Sequence, residues 1–184
     1  FYGASDDRQL DEHSPAGSGF LADVCHQWEA ATAPAEAAGV RVVHLRTGIV
    51  LTPKGGALKK MLPLFRLGVG GRFGNGRQWQ SWISLADEVN AIEFLLTANV
   101  QGPVNLTAPN PVTGTEFARA LGRALHRPAL MPVPSFGPKL LLGSELADAL
   151  LFTGQRVVPT ALTAAGFQFD HSNIEPALSA LLAR

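Results

Sequence analysis

One step in the chain restricts the fold more than any other: a helical segment ends at a glycine and a short β-branched run follows at once. The helical segment begins at Phe20 and extends to about Ala38, and Gly39 is the residue type that tolerates the left-handed conformation after a helix. Residues 40–46 are short, β-branched and mostly apolar, which is typical of a strand buried on both faces. A helix followed by a buried strand is the repeating step of a parallel sheet, so we predict an α/β fold.

Other segments extend this pattern. Further helices are predicted over about 57–67, from 84 onward, and over 114–126, 136–142, 144–152 and 173–183, and further strands over 78–83, 104–107 and 130–133. Pro34 is expected to kink the first helix or to begin a second piece. Two helices carry apolar residues at helical spacing, which predicts their buried faces. These residues are Leu21, Val24, Cys25 and Trp28 in the first helix and Val89, Ile92 and Leu96 in the helix from 84.

Local sequence also predicts where two helices begin. Ser84 precedes Asp87 by three residues, and Thr113 precedes Glu116 by the same spacing. This is the spacing of a capping box, in which the first side chain accepts a hydrogen bond from the amide three residues later. We therefore expect helices to begin directly after Ser84 and Thr113.

Composition limits what the chain binds. Its 184 residues include 15 Lys and Arg against 15 Asp and Glu, so the formal net charge is zero and we expect no nucleic-acid and no membrane partner. Hydrophobic residues make up 46%, enough to bury a core. The single cysteine, Cys25, excludes an internal disulfide, and the absence of Cys/His pairs at zinc spacing predicts no metal site. We expect a reducing, cytoplasmic setting with Cys25 as a buried structural thiol.

Nine short stretches in a fixed order carry a family resemblance. They are residues 2–3, 19–25, 28–29, 45–51, 55–60, 74–79, 81–83, 102–109 and 154–157. Together they resemble the extended short-chain dehydrogenase/reductase family, in its epimerase-like branch of predicted nucleoside-diphosphate-sugar epimerases. The resemblance implies the C-terminal half of a Rossmann-like doubly wound parallel sheet over 1–109, and a small, mostly helical substrate-side domain over 110–184.

The resemblance implies NAD(P) as the cofactor, with NADP the expected form. The glycine-rich phosphate loop of the family does not occur in these residues. Residues 68–77 contain five glycines, but they follow a helix and not a strand, which is the wrong context for that loop. We therefore expect the chain to be the C-terminal segment of a longer protein, and we expect these 184 residues alone not to bind NAD(P) tightly.

The catalytic pair of the family does not occur here either. Active members carry a Tyr and, four residues later, a Lys on the helix that matches the first helix of this chain. The Tyr position falls on Phe20 or Leu21. The Lys position falls on Val24 or Cys25, and none of these side chains transfers a proton as the family pair does. The catalytic residues are therefore unknown, and His26 is a candidate for a substitute acid or base by its residue type alone.

The turn after the predicted strand is the candidate cofactor site, with Leu45, Arg46, Thr47, Gly48 and Ile49. Ligands of open α/β sheets bind beyond the carboxyl ends of the strands. The resemblance implies that this turn lies against the nicotinamide end of the cofactor, and Gly48 would allow the backbone to approach closely. A structural ion pair is the alternative interpretation of Arg46.

The candidate substrate residues are Tyr2, Arg77, Gln78 and Trp82. The resemblance implies that the 77–82 region supplies an arginine to a substrate diphosphate, which suits a guanidinium. Gln78 would then bind a sugar or a base edge, and Trp79 or Trp82 would stack on one. The alternative is that the tryptophans close the core and Arg77 is solvated. The resemblance also places Tyr2 beside the active site, either lining the substrate or as a half-buried aromatic at a strand end.

Two functions stay open at this stage. The first is an NAD(P)-binding, epimerase-like oxidoreductase that acts on a nucleotide sugar or a similar small molecule, with a homodimer as a candidate assembly. The second is a catalytically degenerate regulatory protein that binds a dinucleotide without converting it. The missing Tyr/Lys pair favours the second function, and the arginine- and tryptophan-rich region after residue 73 favours the first.

Overall fold

The computed structural model describes residues 1–5, 7–129 and 154–183. Within these residues the helices are α1 Phe20–Ala30, α2 Ala33–Ala37, α3 Gly56–Arg66, α4 Leu85–Thr97, α5 Gly114–Ala124, α6 Thr160–Ala164 and α7 Ile174–Leu182. The strands are β1 Gln9–Leu10, β2 Val43–Thr47, β3 Ile49–Leu51, β4 Trp79–Gln80, β5 Trp82–Ser84, β6 Gly102–Leu106, β7 Val112–Thr113 and β8 Arg156–Val157. Helices alternating with mostly parallel strands confirm the predicted α/β fold class.

The parallel strands are organised around Gly48, which separates β2 from β3. β2 pairs with β6 along its whole length, and β3 pairs with β5. The Gly48 amide donates to the carbonyl oxygen of Leu106 at 3.0 Å, and the next amide, of Ile49, donates to that of Ser81 at 2.8 Å. The chain therefore passes from one partner strand to the other at this residue. A Cβ on Gly48 would lie 2.6 Å from the Ser81 carbonyl oxygen, so the crossing requires glycine.

The single strand predicted over 78–83 is two strands with different partners. β4 pairs antiparallel with β7, whereas β5 pairs parallel with β3. Ser81 lies between them, and its hydroxyl donates to the Gln155 carbonyl oxygen at 2.6 Å and accepts from the Val157 amide at 2.8 Å. Ser81 thus joins the 154–157 segment, which includes β8, to the β4–β5 edge.

The first predicted helix is also two helices. α1 ends at Ala30, and α2 contains Pro34 in its first turn, where a missing amide proton costs little. Gly39 follows with a φ of 79°, as the sequence predicts for the residue after a helix. The strand then begins at Val43 and not at residue 40.

The predicted starts of α4 and α5 are confirmed. The Ser84 hydroxyl accepts from the Asp87 amide at 3.1 Å. Thr113 and Glu116 form a complete capping box, in which each side chain bonds to the other residue's amide. These bonds satisfy amides that have no partner within the helix itself.

Two buried apolar clusters form most of the described core. The larger one joins α3, α5 and α7 and contains Leu51, Leu58, Leu62, Phe65, Trp82, Ala108, Phe117, Ala118, Ala120, Leu121, Ile174, Ala177 and Leu178. The smaller one joins α4 to the parallel strands and contains Ile83, Ala91, Leu95, Val104, Leu106, Leu162 and Phe167. The domain boundary between 109 and 110 stays a prediction, and the larger cluster contains residues from both sides of it.

The predicted buried face of α1 is wrong. Leu21 and Trp28 are exposed, Val24 and Cys25 are half-buried, and the buried residue of this helix is Ala22. The apolar contact of this helix with the described structure is therefore made mainly by a small residue, while Glu29 and His26 make polar and aromatic contacts. The larger apolar side chains of this helix, Leu21 and Trp28, are exposed in the described structure.

The predicted buried face of α4 is wrong in the same way. Val89, Ile92 and Leu96 are exposed. The buried residues are Asp87, Glu88, Ala91 and Leu95. The helix has apolar residues on two sides, and periodicity identified the side that the described residues do not cover.

The strand predicted over 40–46 is expected to be buried on both faces, and this is wrong for the described structure. No residue of β2 is fully buried, and Leu45 is exposed. Among residues 1–5, 7–129 and 154–183, β2 has a paired strand, β6, on one edge only. Its side chains are therefore covered only in part.

Three predicted elements, the strand over 130–133 and the helices over 136–142 and 144–152, lie outside the described residues. None of the helices α1 to α7 is long and apolar enough to cross a membrane.

Candidate functional site

Arg46, at the carboxyl end of β2, is the centre of a polar cluster made of Tyr2, Glu12, Glu29, Arg46 and Asn105, which we call the Arg46 cluster. The Nε and Nη2 atoms of Arg46 donate to the two carboxylate oxygens of Glu29 at 2.7 and 2.9 Å. The side chains of Arg46 and Glu29 are only 10% and 21% exposed. These contacts favour the ion-pair interpretation of Arg46, and a direct contact with a cofactor stays a prediction.

The aromatic residues at the start of the chain pack on the same guanidinium. The Arg46 guanidinium carbon lies 3.3 Å from the centroid of the Phe1 ring. Its Nη1 donates to the Tyr2 hydroxyl at 3.0 Å, and that hydroxyl donates to Oδ1 of Asn105 at 2.7 Å. Tyr2 is buried, and its hydroxyl is committed to two neighbours in β2 and β6. A substrate-lining role for Tyr2 stays a prediction.

The carboxylate of Glu12 forms hydrogen bonds that hold Asn105 of the Arg46 cluster in place. Its Oε1 accepts from the amides of Asn105 at 3.0 Å and Ala161 at 3.1 Å. Glu12 thereby joins β6 to α6, and its other oxygen is buried without a hydrogen-bond partner in the described part of the chain. Glu12 and the nearby Leu10 are buried, although residues 7–19 are rich in polar residues, Gly and Pro.

The contacts within the Arg46 cluster shift three pKa values. Burial raises the pKa of Tyr2, and its bonds to Arg46 and Asn105 offset only part of the rise. Burial also raises the pKa of Glu29, but the hydrogen bonds and charge of Arg46 outweigh it and leave that pKa below its ordinary value. Burial lowers the pKa of Arg46, and its bonds to Glu29 and Tyr2 outweigh this, so the net pKa is raised. The cluster therefore holds a charged Arg–Glu pair beside a neutral tyrosine.

The turn predicted to meet the cofactor has an accessible side. The side chains of Leu45, Thr47 and Ile49 are exposed. Thr47 donates from Oγ1 to Oε1 of Glu88 at 2.9 Å, and the second oxygen of Glu88 is buried without a partner in the described structure. Burial raises the pKa of Glu88, and the Thr47 bond offsets this only in part. The close approach of Gly48 is to Ser81, and its approach to a cofactor stays a prediction.

The helix that carries the family's catalytic pair has no proton-transfer group at the matching positions. Phe20 and Leu21 are exposed, and Val24 and Cys25 are half-buried. His26 is exposed and stacks on the Phe1 ring with a centroid distance of 5.0 Å. The structure assigns no catalytic residue on this helix.

A second cluster, made of Asp7, Trp79 and Arg156, lies where the 154–157 segment meets β4; we call it the Trp79 cluster. Trp79 donates from Nε1 to a carboxylate oxygen of Asp7 at 2.9 Å. The Arg156 guanidinium lies 4.5 Å from the centroid of the Trp79 ring. A Cβ on Gly154 would lie 2.4 Å from the Trp79 amide nitrogen, so only glycine fits this contact.

The remaining substrate candidates are placed differently from one another. Arg77 is exposed, and its side chain forms no ion pair within the described residues. Gln78 is half-buried and donates to the Phe73 carbonyl oxygen at 3.2 Å. Trp82 has no exposed surface and belongs to the larger core cluster. Of the two tryptophans considered for stacking, Trp79 is therefore the accessible one.

Sequence reasoning missed Glu12, Glu29, Asn105 and Arg156. The last three lie within stretches that carry the family resemblance, but no local pattern assigns them a role. Glu29 and Arg46 are 17 residues apart and meet only because α1 packs beside β2. A contact of this kind depends on tertiary structure, which spacing along the chain does not show.

Two further features bear on binding. No group of three or more His, Cys, Asp or Glu in the described residues is placed to hold a metal ion. A cavity of about 510 Å³ lies at the end of α5, lined by Arg119, Gly122, Arg123, His126, Arg127 and Ala129. None of these belongs to the predicted site or to the two clusters.

Comparison with known proteins gives one consistent result. A family described as "Domain of unknown function (DUF1731)" matches residues 133–181. The chain is 52% identical over 179 residues to the epimerase family protein Mb2239 of Mycobacterium bovis, covering 97% of this chain and 59% of that protein. It spans less than two thirds of that relative's length.

Solved structures of epimerase family proteins are also similar to this chain. The human epimerase family protein SDR39U1 (isoform 2) with NADPH has a TM-score of 0.88 and 36% identity, covering 98% of this chain and 61% of that one. The nucleoside-diphosphate sugar epimerase from Corynebacterium glutamicum has a TM-score of 0.73 and 37% identity, covering 98% of this chain and 35% of that one. The resemblance predicted from nine sequence stretches is confirmed. The chain belongs to the epimerase-like branch of the extended short-chain dehydrogenase/reductase family, whose C-terminal portion it matches.

Proposed function

We propose that the full-length protein binds NAD(P), with NADPH the preferred form, and acts as an epimerase-like oxidoreductase on a nucleotide sugar or a similar small molecule. The observation that carries the proposal is the likeness to the human relative with NADPH, over 98% of this chain at a TM-score of 0.88. The exposed side chains of Leu45 and Thr47 in β2 and of Ile49 at the start of β3 support a contact with the nicotinamide end of the cofactor.

The substrate would lie near the loop before β4. Arg77 is an exposed guanidinium without an ion-pair partner in the described chain, which suits recognition of a phosphate. Trp79 is half-buried and accessible beside it. This placement supports a phosphorylated small molecule as the substrate class.

A second candidate function is a regulatory protein that binds the dinucleotide and does not turn over a substrate. The matching positions for the catalytic pair hold Phe20 or Leu21 and Val24 or Cys25. The Tyr2 hydroxyl does not replace the missing base in the described arrangement, because it is buried between Arg46 and Asn105. These observations favour slow turnover or none.

Cofactor titration and turnover assays on the full-length protein separate the two functions. Calorimetry should show tighter binding of NADPH than of NADH, and absence of binding for both would overturn both proposals. Turnover of UDP-glucose within the ordinary range of about 1–10³ per second would favour the enzyme. The double variant Phe20→Tyr, Val24→Lys should raise a slow rate, because general acid–base catalysis contributes roughly 10²–10⁴-fold.

Arg77 provides the sharpest test of the substrate site. Arg77→Ala should weaken UDP-glucose binding by about ten- to a hundredfold, since a charge-assisted contact contributes roughly 1.5–3 kcal/mol. Arg77→Lys should recover part of the loss, because an ammonium lacks the planar two-point contact. Lys60→Ala is the control, since it removes one exposed cation elsewhere. A sharp fall in melting temperature with unchanged affinity would instead identify Arg77 as a structural residue.

The assembly and cellular setting belong to the same proposal. We expect a cytoplasmic protein in which the single, half-buried Cys25 stays reduced. We also expect a homodimer, on the resemblance to the family alone. Light scattering coupled to size exclusion tests the assembly, and a monomer at micromolar concentration would contradict it.

A further inference from the structure

The cavity of about 510 Å³ at the end of α5, which we call the α5 cavity, is a local concentration of positive charge. Four of its six described lining residues are basic, and they are Arg119, Arg123, His126 and Arg127. All four are exposed. Arg119 and Arg123 are four residues apart in α5, so their side chains are neighbours on one face of the helix. The formal net charge of the whole chain is zero, so this cluster belongs to one region and not to the general composition.

The chain that follows α5 folds back against the helix and fixes one wall of the α5 cavity. The amide of Arg127 donates to the carbonyl oxygen of Gly122 at 2.9 Å. A Cβ on Gly122 would lie 2.8 Å from the Arg127 carbonyl oxygen, so this close return requires glycine. The Nε of Arg127 also donates to the carbonyl oxygen of Arg66, the last residue of α3, at 3.1 Å. Arg127 is therefore held in place by contacts with both α5 and α3.

His126 has a backbone conformation that is unfavourable for its residue type. Its φ is 54°, and among residues 1–5, 7–129 and 154–183 it is the one residue other than glycine with a positive φ. Glycine is the usual residue at this position after a helix, because a side chain is disfavoured at positive φ. Backbone conformations of this kind cluster at functional sites. Here the histidine adds an imidazole to the lining of the α5 cavity, which glycine would not.

Structural roles account for part of the positive charge but not for Arg119. Arg123 lies in the last turn of α5, where a cation stabilises the helix dipole, and it also pairs with Glu175 of α7. Arg119 precedes the last turn, beyond the range of that effect. The carbonyl oxygens of Gly122 and Arg123, which would repel an anion, already accept hydrogen bonds from the returning chain. An anion beside Arg119 therefore meets little repulsion from the end of the helix.

Two carboxylates lie on the neighbouring surface, and both have structural partners. Glu175 pairs with Arg123. Glu116 accepts from the amide of Thr113 at 2.7 Å and from its hydroxyl at 2.8 Å, which completes the capping box at the other end of α5. These contacts explain why the two acidic residues are present, and they leave the basic residues of the cavity to be explained.

We propose that the α5 cavity binds a phosphate chain, meaning a diphosphate or a longer one, at a site separate from the cofactor turn and the substrate loop. A guanidinium donates two parallel hydrogen bonds to phosphate oxygens, so three arginines suit an anion with several charges better than a single carboxylate. Small-molecule sites have volumes of roughly 300–1,000 Å³, and the cavity of about 510 Å³ lies within that range. The concave shape and the local charge favour a small anion over a nucleic acid.

A phosphate chain can be inorganic or part of a nucleotide, and the two sources are separable. The described lining of the α5 cavity contains no Phe, Tyr or Trp, so it offers a nucleobase no large aromatic ring to stack on. We therefore expect tripolyphosphate and ATP to bind with similar affinity. ATP binding that depends on Arg119, together with no binding of tripolyphosphate, would overturn the assignment to the phosphate chain itself.

The test compares the full-length wild type with Arg119→Gln, Arg119→Lys and Arg8→Gln, which removes an exposed arginine outside the cavity. The calorimetric probes are tripolyphosphate, ATP, NADPH and UDP-glucose. Arg119→Gln should weaken tripolyphosphate and ATP by about tenfold, as expected for one charge-assisted contact open to solvent, and leave NADPH and UDP-glucose unchanged. Arg119→Lys should recover part of the loss, and Arg8→Gln should match the wild type. A tripolyphosphate affinity of Arg119→Gln equal to that of the wild type overturns the proposal.

His126→Gly tests the site through the backbone. Glycine adopts a positive φ without strain, so the melting temperature of this variant should not fall. Its tripolyphosphate affinity should nevertheless fall, because the imidazole is lost from the lining. A lower melting temperature with unchanged tripolyphosphate affinity would overturn the role of His126 in the site and show that the residue is structural.

The outcomes also separate this inference from the proposed function. A wild type that binds NADPH and UDP-glucose but not tripolyphosphate overturns the anion site alone. A wild type that binds tripolyphosphate through Arg119 but neither NADPH nor UDP-glucose keeps the anion site and overturns the proposed function. A loss of NADPH or UDP-glucose affinity in Arg119→Gln would overturn the separation of the α5 cavity from the proposed cofactor and substrate sites.

Discussion

Helices α4 and α5 begin with the same sequence signal, yet they contact the described structure in opposite ways. Both follow a hydroxyl N-cap with an acidic residue three positions later. The α5 helix buries Phe117 and Leu121 in the larger core cluster, against α3 and α7. The α4 helix exposes the apolar residues that periodicity selects and buries others. These are Val89, Ile92 and Leu96 on the exposed side and Asp87, Glu88, Ala91 and Leu95 on the buried side.

The difference teaches that periodicity identifies an apolar stripe but does not identify what covers it. A helix with apolar residues on two sides is typical of a position between two layers. One side of α4 packs on β3 and β5 through Ala91 and Leu95. Its first turn is fixed by polar contacts, because the Asp87 carboxylate accepts from the amides of Asp170 at 2.8 Å and His171 at 3.1 Å. Local pattern alone does not distinguish these two sides.

The largest expected effect contrasts one leucine from each helix. Leu121→Ala in α5 should lower the free energy of unfolding by about 2–5 kcal/mol, because it leaves a cavity in a fully buried cluster. Leu96→Ala in α4 should stay within about 0.5 kcal/mol, since this side chain is 71% exposed. Urea denaturation of both variants measures the difference. A cost for Leu96→Ala near that of Leu121→Ala would show that the exposed side of α4 is covered in the protein as it exists.

The caps of the same helices provide the next effect. Ser84→Ala should cost about 1–2 kcal/mol, because the Ser84 hydroxyl is buried and also donates to the Asp87 carboxylate at 2.9 Å. Thr113→Ala should cost about 0.5–1 kcal/mol, since its capping box is exposed and water can replace the lost bond. Thermal unfolding of the two variants ranks the caps. The opposite order would mean that burial of Ser84 does not strengthen its cap.

The parts of the structure that the sequence predicts are the parts that local contacts determine. The caps at Ser84 and Thr113 and the left-handed Gly39 each depend on residues within a few positions, and all three are confirmed. The Arg46–Glu29 pair and the stacking of Arg156 on Trp79 depend on elements that meet only in the folded chain. The sequence therefore predicts a site at the end of β2 and before β4, and this location stays a prediction. The contacts within the Arg46 and Trp79 clusters could not be predicted, because they join residues that are far apart in the sequence.

The smallest expected effect concerns pH and the buried polar start of α4. Burial raises the pKa of Glu88 above its ordinary value of 4.5. A carboxyl with a raised folded pKa favours the folded state below its unfolded pKa, and this contribution is lost as the pH rises through the folded pKa. Glu88→Gln removes this dependence and keeps an oxygen that accepts from Thr47. The stability of the variant relative to the wild type should therefore increase between pH 4 and pH 7, by less than either cap effect. Denaturant midpoints at the two pH values measure this change, with the exposed Glu93→Gln as the charge-matched control on the same helix. The pKa shifts of Tyr2, Glu29 and Arg46 are the same in the wild type and in the Glu88→Gln variant, so they cancel in the difference between the two stabilities. A relative stability that falls with pH would mean that the Glu88 carboxylate has a stabilising partner in the native protein.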